Sequence, residues 1–224
     1  MPSPEASTDD GSDTRRIAAW IAATAPPGTV AVAAPIQPRA CRFPEEEALL
    51  AHAVPRRCDE FRTGRALARR ALAGLGRAPC AIPPDADRVP QWPPGTLGSI
   101  SHAAGLCIVE IGSADRFCGI GLDLEATDAV DPDLATTIAR PDEWRSLQRR
   151  LPPAAAATLC FSAKEAVYKA LFPSTRRLLD FRDVRLEVDP ANGRFEASSE
   201  DHGVLRGRFA RMGGHVVCAV RIAR

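Results

Sequence analysis

Between Pro55 and Gly76 the apolar residues Cys58, Phe61, Ala68, Leu72 and Leu75 fall near three- and four-residue spacings, which predicts an amphipathic helix ending around Gly74 and Gly76. The rhythm then breaks. A stretch dense in proline and glycine, Pro83 to Gly98, leads into short apolar runs around Ile100 and from Leu106 to Ile111, which predict strands. From Cys118 to Glu125 the pattern alternates: Cys118, Ile120, Leu122 and Leu124 share one face, Gly119, Gly121, Asp123 and Glu125 the other. A helix is predicted near Trp144, and a longer alanine-rich one opens at Pro152–Pro153 and runs through Phe161 to Leu171. Beyond it Val184, Leu186 and Val188 alternate with charges. The turn signals Asn192–Gly193 and Gly213–Gly214 then punctuate an antiparallel meander closing with Val216 to Ile222.

Helix followed by strands occurs twice, so the pattern predicts an α+β protein of two halves. A polar, aperiodic tail covers residues 1–14, an N-terminal α+β half residues 15–114, and a C-terminal α+β half residues 115–224, with the boundary near Ser113 to Arg116. Composition agrees with a folded chain: 224 residues, 45% hydrophobic, bury enough surface for one large or two small domains. Twenty-nine basic against twenty-eight acidic side chains leave a net charge of +1, so no global field recruits nucleic acid or anionic membrane. Apolar runs stop short of a membrane span and the Ser/Asp-rich start lacks a secretion signal, which predicts a cytoplasmic protein. The seven cysteines show no metal-binding spacing and read as buried, reduced thiols.

Candidate chemistry centres on Asp123 and Glu125, whose Cα atoms on one strand face stand roughly 6.5–7 Å apart. Such a pair is either a solvated strand end or a site where repulsion is relieved by a cation, a raised pKa or a bound metal. Gly119 and Gly121 on the same face leave room for a ligand to approach the backbone. In the long helix, Phe161, Glu165, Tyr168 and Lys169 occupy neighbouring positions. Glu165 with Lys169 reads either as an ordinary surface pair or, beside two aromatics, as a partly buried one. A third carboxylate converging on Asp123 and Glu125 would form a hard-oxygen site suited to magnesium and phosphate oxygens, not to zinc. On the arginine-rich helix Arg57, Phe61 and Arg65 form one stripe that is either fit for phosphate or a solvated basic face snorkelling over the core, whereas Arg56, Arg62, Arg69 and Arg70 are expected to face water. Ser101 and His102, after the Gly95–Ser99 loop, are further candidate donors. No nucleophile elbow, Walker loop or dinucleotide fingerprint occurs.

In order along the chain stand Arg56–Arg57, Glu60–Phe61 and Gly64–Arg65; Trp92–Pro93; Gly98–Ser99–Ile100–Ser101–His102; Gly121–Leu122–Asp123–Leu124–Glu125; and Phe161–Ser162–Ala163–Lys164–Glu165–Ala166–Val167–Tyr168–Lys169. The ordered set, spanning roughly residues 43 to 190, resembles the 4'-phosphopantetheinyl transferases of the large pseudodimeric class, nearest the enterobactin-synthase-component type of siderophore assembly. The resemblance implies two similar α+β halves with coenzyme A bound between them. It implies transfer of the phosphopantetheine arm from coenzyme A to a serine of an apo acyl- or peptidyl-carrier protein, with release of adenosine 3',5'-bisphosphate. It also implies Asp123, Glu125 and Glu165 as magnesium ligands, Glu165 as general base, and Lys169 beside the coenzyme A phosphates. Arg57, Arg65, Ser101 and His102, with Arg88 from a variable loop, are implied as coenzyme A contacts, and Lys164 as a support of the fold or of the phosphate field. Phe161 and Leu122 depart from the commoner Trp and Ile or Val. With both halves in one chain, a monomer is expected. The rival expectations are a magnesium-dependent nucleotide phosphohydrolase and a module whose basic helix binds nucleic acid.

Overall fold

The computed structural model describes residues 10–224. Helix α1 (Asp10–Thr24) leads to strand β1 (Thr29–Pro35), a single helical turn α2 (Pro44–Ala48) and the long helix α3 (Pro55–Gly74). Strands β2 (Thr96–Ala103) and β3 (Leu106–Ser113) follow, and they join β1 in an antiparallel sheet of order β1-β3-β2. A tight turn passes the chain to β4 (Phe117–Ala126). Short helices α4 (Ala135–Ile138) and α5 (Pro141–Gln148) precede α6 (Pro153–Thr175), and β5 (Arg185–Asp189), β6 (Arg194–Ser199), β7 (Gly203–Met212) and β8 (His215–Ala223) complete a second antiparallel sheet, β4-β8-β7-β6-β5. Among the described residues no helix is long and apolar enough to cross a membrane.

Each sheet carries its own helix. On α3, Leu67, Ala68, Ala71 and Leu72 pack on Cys107, Val109 and Ile111, the odd positions of β3. The even positions, Leu106 and Ile108, turn to the opposite face, where Ile17 and Ile21 of α1 cover them together with Leu122, Leu124, Val217 and Ala219 of the second sheet. Helix α1 therefore spans both sheets. Further ties cross between them. Ser99 and Ser101 of β2 accept hydrogen bonds from the backbone N–H groups of Leu122 (3.0 Å) and Leu124 (3.1 Å) of β4. Arg221 of β8 donates twice to buried Glu110 of β3, at 2.8 and 2.7 Å.

The alternation in β4 has a physical cause that differs from the sequence expectation. A Cβ on Gly119 would lie 2.4 Å from the carbonyl oxygen of Ala170, and one on Gly121 only 1.8 Å from that of Ala166. The space at these glycines belongs to α6, whose main chain rests on the strand, and not to a ligand. Other expectations need similar correction. Residues 10–14, read as tail, are helical, while residues 1–9 lie outside the described residues. Arg69 does not face water: its guanidinium is buried against Glu46 at 2.7 and 2.9 Å, and Glu46 also accepts from the Ile82 N–H at 2.9 Å. Arg62 is paired with Glu47. Cys118 is exposed, displaced where the pairing of β4 with β8 slips by a residue.

Because the α6 backbone cannot move away without losing its apolar contacts, Gly121→Ala is expected to destabilise the fold toward the upper end of about 1–3 kcal/mol. A urea midpoint indistinguishable from wild type would show that the helix does not rest on this strand.

Candidate functional site

The glycine seam decides what lies beyond it. With α6 laid across Gly119 and Gly121, the next residues on the same face of β4, Asp123 and Glu125, come beside Glu165 and Lys169 of the helix. Lys169 Nζ donates to Asp123 Oδ1 at 2.6 Å and to Ser101 Oγ at 3.1 Å. Ser101 Oγ in turn donates to Asp123 Oδ1 at 3.2 Å and accepts from the Leu124 N–H. A hydroxyl has one proton and two lone pairs, and all three are in use here. Ser101, expected to meet a phosphate through its side chain, is instead buried and holds the acidic corner together.

Three carboxylates share that corner, and two of them, Glu125 and Glu165, hold their protons more tightly than usual. Burial, then repulsion from Asp123 and Glu165, pushes Glu125 up to about 7, against the pull of Lys169. Glu165 is also raised, by burial first and then by Asp123, with Lys169 opposing. Asp123 Oδ2 is buried with no hydrogen-bond partner among the described residues. Among these residues no three histidine, cysteine or acidic side chains already surround one point as a metal cage. The donor set is nonetheless oxygen only, short of positive charge, and includes an orphaned carboxylate oxygen, which suits a hard divalent cation that completes its shell with water and ligand oxygens. The residues fit magnesium in that open form.

A cavity of about 250 Å³ adjoins the corner, with Arg57, Arg65, His102 and Lys169 among its walls and Arg88 on the loop across its mouth. These are the cations and donors named from sequence, and of that set only Ser101 lies outside the lining. Arg65 is buried, its guanidinium 4.4 Å from the centre of the Phe61 ring and its Nε without a hydrogen-bond partner among the described residues. Burial lowers its pKa to about 10, which leaves it charged. Arg57 is half exposed and donates to His102 Nε2 at 3.0 Å. That bond requires the imidazole to accept, and burial holds the His102 pKa below its usual value. Lys164 plays a different part: fully buried, it donates to Glu143 at 3.1 Å and to the Phe181 carbonyl at 2.8 Å, pinning α6 to α5 and the following loop.

Sequence reasoning gave Glu60 no role. It accepts from Arg56 at 3.0 Å, lies 3.6 Å from Arg57 and sits 3.7 Å from His102 Nδ1, so it orients two cavity donors at once. Its spacing from the two arginines was the available signal. Glu125 opens to a second hollow that it shares with Arg57, Glu60 and His102, and Glu165 opens to a third beside Tyr168, Leu179 and Phe181.

A raised Glu125 pKa means that the folded protein holds this proton more tightly than the unfolded chain does. The stability it contributes is complete below the ordinary value of 4.5 and is lost as the pH rises through about 7. Without added divalent cation, wild type is expected to lose stability between about pH 5 and about pH 8 relative to Glu125→Gln. Parallel urea midpoints for the two proteins would contradict the shared acidic corner.

Family models match in two consecutive blocks: the 4'-phosphopantetheinyl transferase N-terminal domain over residues 45–112, and the 4'-phosphopantetheinyl transferase superfamily over residues 119–220. The second block extends past residue 190, where the sequence motifs end. The 4'-phosphopantetheinyl transferase Svp of Streptomyces mobaraensis is 36% identical over 85% of this chain and 82% of its own. The 4'-phosphopantetheinyl transferase PptT of Mycobacterium tuberculosis is 35% identical over 80% of this chain and 85% of its own. Enterobactin synthase component D of Salmonella typhi is 42% identical, over 50% of this chain and 47% of its own. Likeness at that level over most of both partners makes this chain a member of the 4'-phosphopantetheinyl transferase family.

Proposed function

We propose that the protein transfers the 4'-phosphopantetheine arm of coenzyme A to a serine hydroxyl of an apo acyl- or peptidyl-carrier protein, releasing adenosine 3',5'-bisphosphate. The observation that carries this reading is the meeting of two opposite chemistries: a corner of three mutually repelling carboxylates beside a cavity walled by Arg57, Arg65, His102 and Lys169. Family membership supports it. The likeness to enterobactin synthase component D supports a place in siderophore or other nonribosomal peptide assembly. The reading keeps a cytoplasmic location and a single-chain working unit, the latter supported by a site to which both sheets contribute.

In this account the guanidiniums of Arg57, Arg65 and Arg88 bind the phosphates of coenzyme A, and Lys169 holds the diphosphate against the acidic corner. Magnesium, held by Asp123, Glu125 and Glu165, would neutralise diphosphate charge when bound. The carrier serine approaches through the hollow beside Tyr168, Leu179 and Phe181, and Glu165 accepts its proton. Serine Oγ forms a bond to the β-phosphorus as the bond from that phosphorus to the bridging oxygen breaks. The electron pair leaves with adenosine 3',5'-bisphosphate, and Lys169 steadies the departing charge. Glu60 and Ser101 act by position, one holding Arg57 and His102, the other holding Lys169 against Asp123.

Incubation with coenzyme A, magnesium and an apo-carrier is expected to add about 340 Da to the carrier, read by mass spectrometry. Release of phosphate or a nucleotide with the carrier mass unchanged would favour hydrolysis instead. Glu165→Gln is expected to fold normally and to lower turnover by roughly 10²–10⁴-fold, the scale of a lost general base. Turnover at the wild-type rate would remove Glu165 from the reaction.

A further inference from the structure

The loop before β2 carries Arg88 and is organised around one side chain. Asp85 Oδ1 accepts from the N–H groups of Asp87 and Val89, both at 2.9 Å, and the Asp85 carbonyl accepts from the Arg88 N–H at 3.0 Å. Arg88 itself has φ 66°, a left-handed conformation unfavourable for an arginine, so its direction depends on the surrounding contacts. One long-range cation reaches this loop: Arg176 Nη1 lies 2.7 Å from Asp85 Oδ2 and 3.0 Å from Asp87 Oδ2.

Arg176 caps the far end of α6. Its N–H closes on the Phe172 carbonyl at 2.9 Å, its φ is 54°, and its guanidinium lies 5.8 Å from the centre of the Phe172 ring. Phe172 and Lys169, on the same helix, line the cavity wall opposite Asp87, Arg88 and Val89. The ion pair therefore closes a ring around the cavity mouth, joining the loop that presents Arg88 to the helix that presents Lys169. Arg177 cannot take its place, because it is turned to Asp201 at 2.8 Å.

We propose that Arg176 is a positioning residue, a clasp that fixes the separation of Arg88 and Lys169 so that both engage one phosphorylated ligand. This rests on the reading of the cavity as the coenzyme A site. The clasp acts on binding and leaves the chemistry at Glu165 untouched. Both of its carboxylates are partly exposed, so its effect is modest and weakens at high salt.

The test compares wild type with Arg176→Ala, Arg176→Lys, Asp87→Asn and, as control, Arg177→Ala, by hydrogen exchange without ligand and by steady-state kinetics. Arg176→Ala is expected to speed exchange across residues 83–91 and to raise the KM for coenzyme A roughly three- to fivefold, with kcat within about twofold. Arg176→Lys recovers part of the loss and Arg177→Ala matches wild type. Asp87→Asn, a surface change that keeps the cap of α6, shifts KM in the same direction and decides the matter if Arg176→Ala does not fold. Unchanged exchange in the loop, an unchanged KM, or a fall confined to kcat overturns the clasp. If wild type binds coenzyme A without transferring the arm, the transferase reading fails while the clasp stands, measured by the Kd for coenzyme A. Normal wild-type turnover with an insensitive Arg176→Ala removes the clasp alone.

Discussion

The fold of the acidic corner depends on one close contact, the main chain of α6 lying on the glycines of β4. Ordinary side chains at positions 119 and 121 would hold helix and strand apart, and the acidic residues of each would then face different solvent. With hydrogen in their place, the carbonyls of Ala166 and Ala170 come down onto the strand, and Glu165 and Lys169 are carried to Asp123. Apolar residues of α6, among them Leu159 and Val167, share one core with Phe195 and Val220 of the sheet and hold the helix there. Packing thus brings together three carboxylates that electrostatics alone would keep apart, and the rise in the pKa of Glu125 to about 7, caused first by burial and then by repulsion from Asp123 and Glu165, records what packing overcomes.

That conflict is eased by a local separation of charge in a chain whose net charge is only +1. Glu46 neutralises Arg69, Glu47 takes Arg62 and Glu143 takes Lys164, so these cations serve the fold. Arg57, Arg65 and Lys169 are left on the cavity, where burial and partial pairing make them receptive to an anion. Overall neutrality and a strongly polarised pocket are compatible because the cations Arg69, Lys164 and Arg221, away from the cavity, are each matched by a buried carboxylate.

Much of this was visible in sequence because it depends on local periodicity. The alternation of β4 put Asp123 and Glu125 on one face, the helical spacing put Glu165 near Lys169, and the stripe Arg57–Phe61–Arg65 anticipated the guanidinium over the phenyl ring. What was misread depends on distant partners. Gly121 looks like an opening until the carbonyl of Ala166, far along the chain, fills it. Ser101 looks like a free donor until Lys169 and the Leu124 N–H claim it. Arg69 looks solvated until Glu46 closes over it. Helix α1 and strand β1 went unread because their alanine-rich segments carry weak apolar contrast, and their burial comes from strands that lie about seventy residues or more further on.

β2 and β4 meet without a ladder. Their closest approach is secured by the hydroxyls of Ser99 and Ser101 reaching across to backbone amides, so each sheet ends where the other begins and the seam belongs to side chains. A seam of this kind is open to selection one codon at a time, which a main-chain ladder is not. The angle between the two lobes, and with it the width of the cleft, can drift across descendants to suit slimmer or bulkier clients while both sheets keep their own pairing.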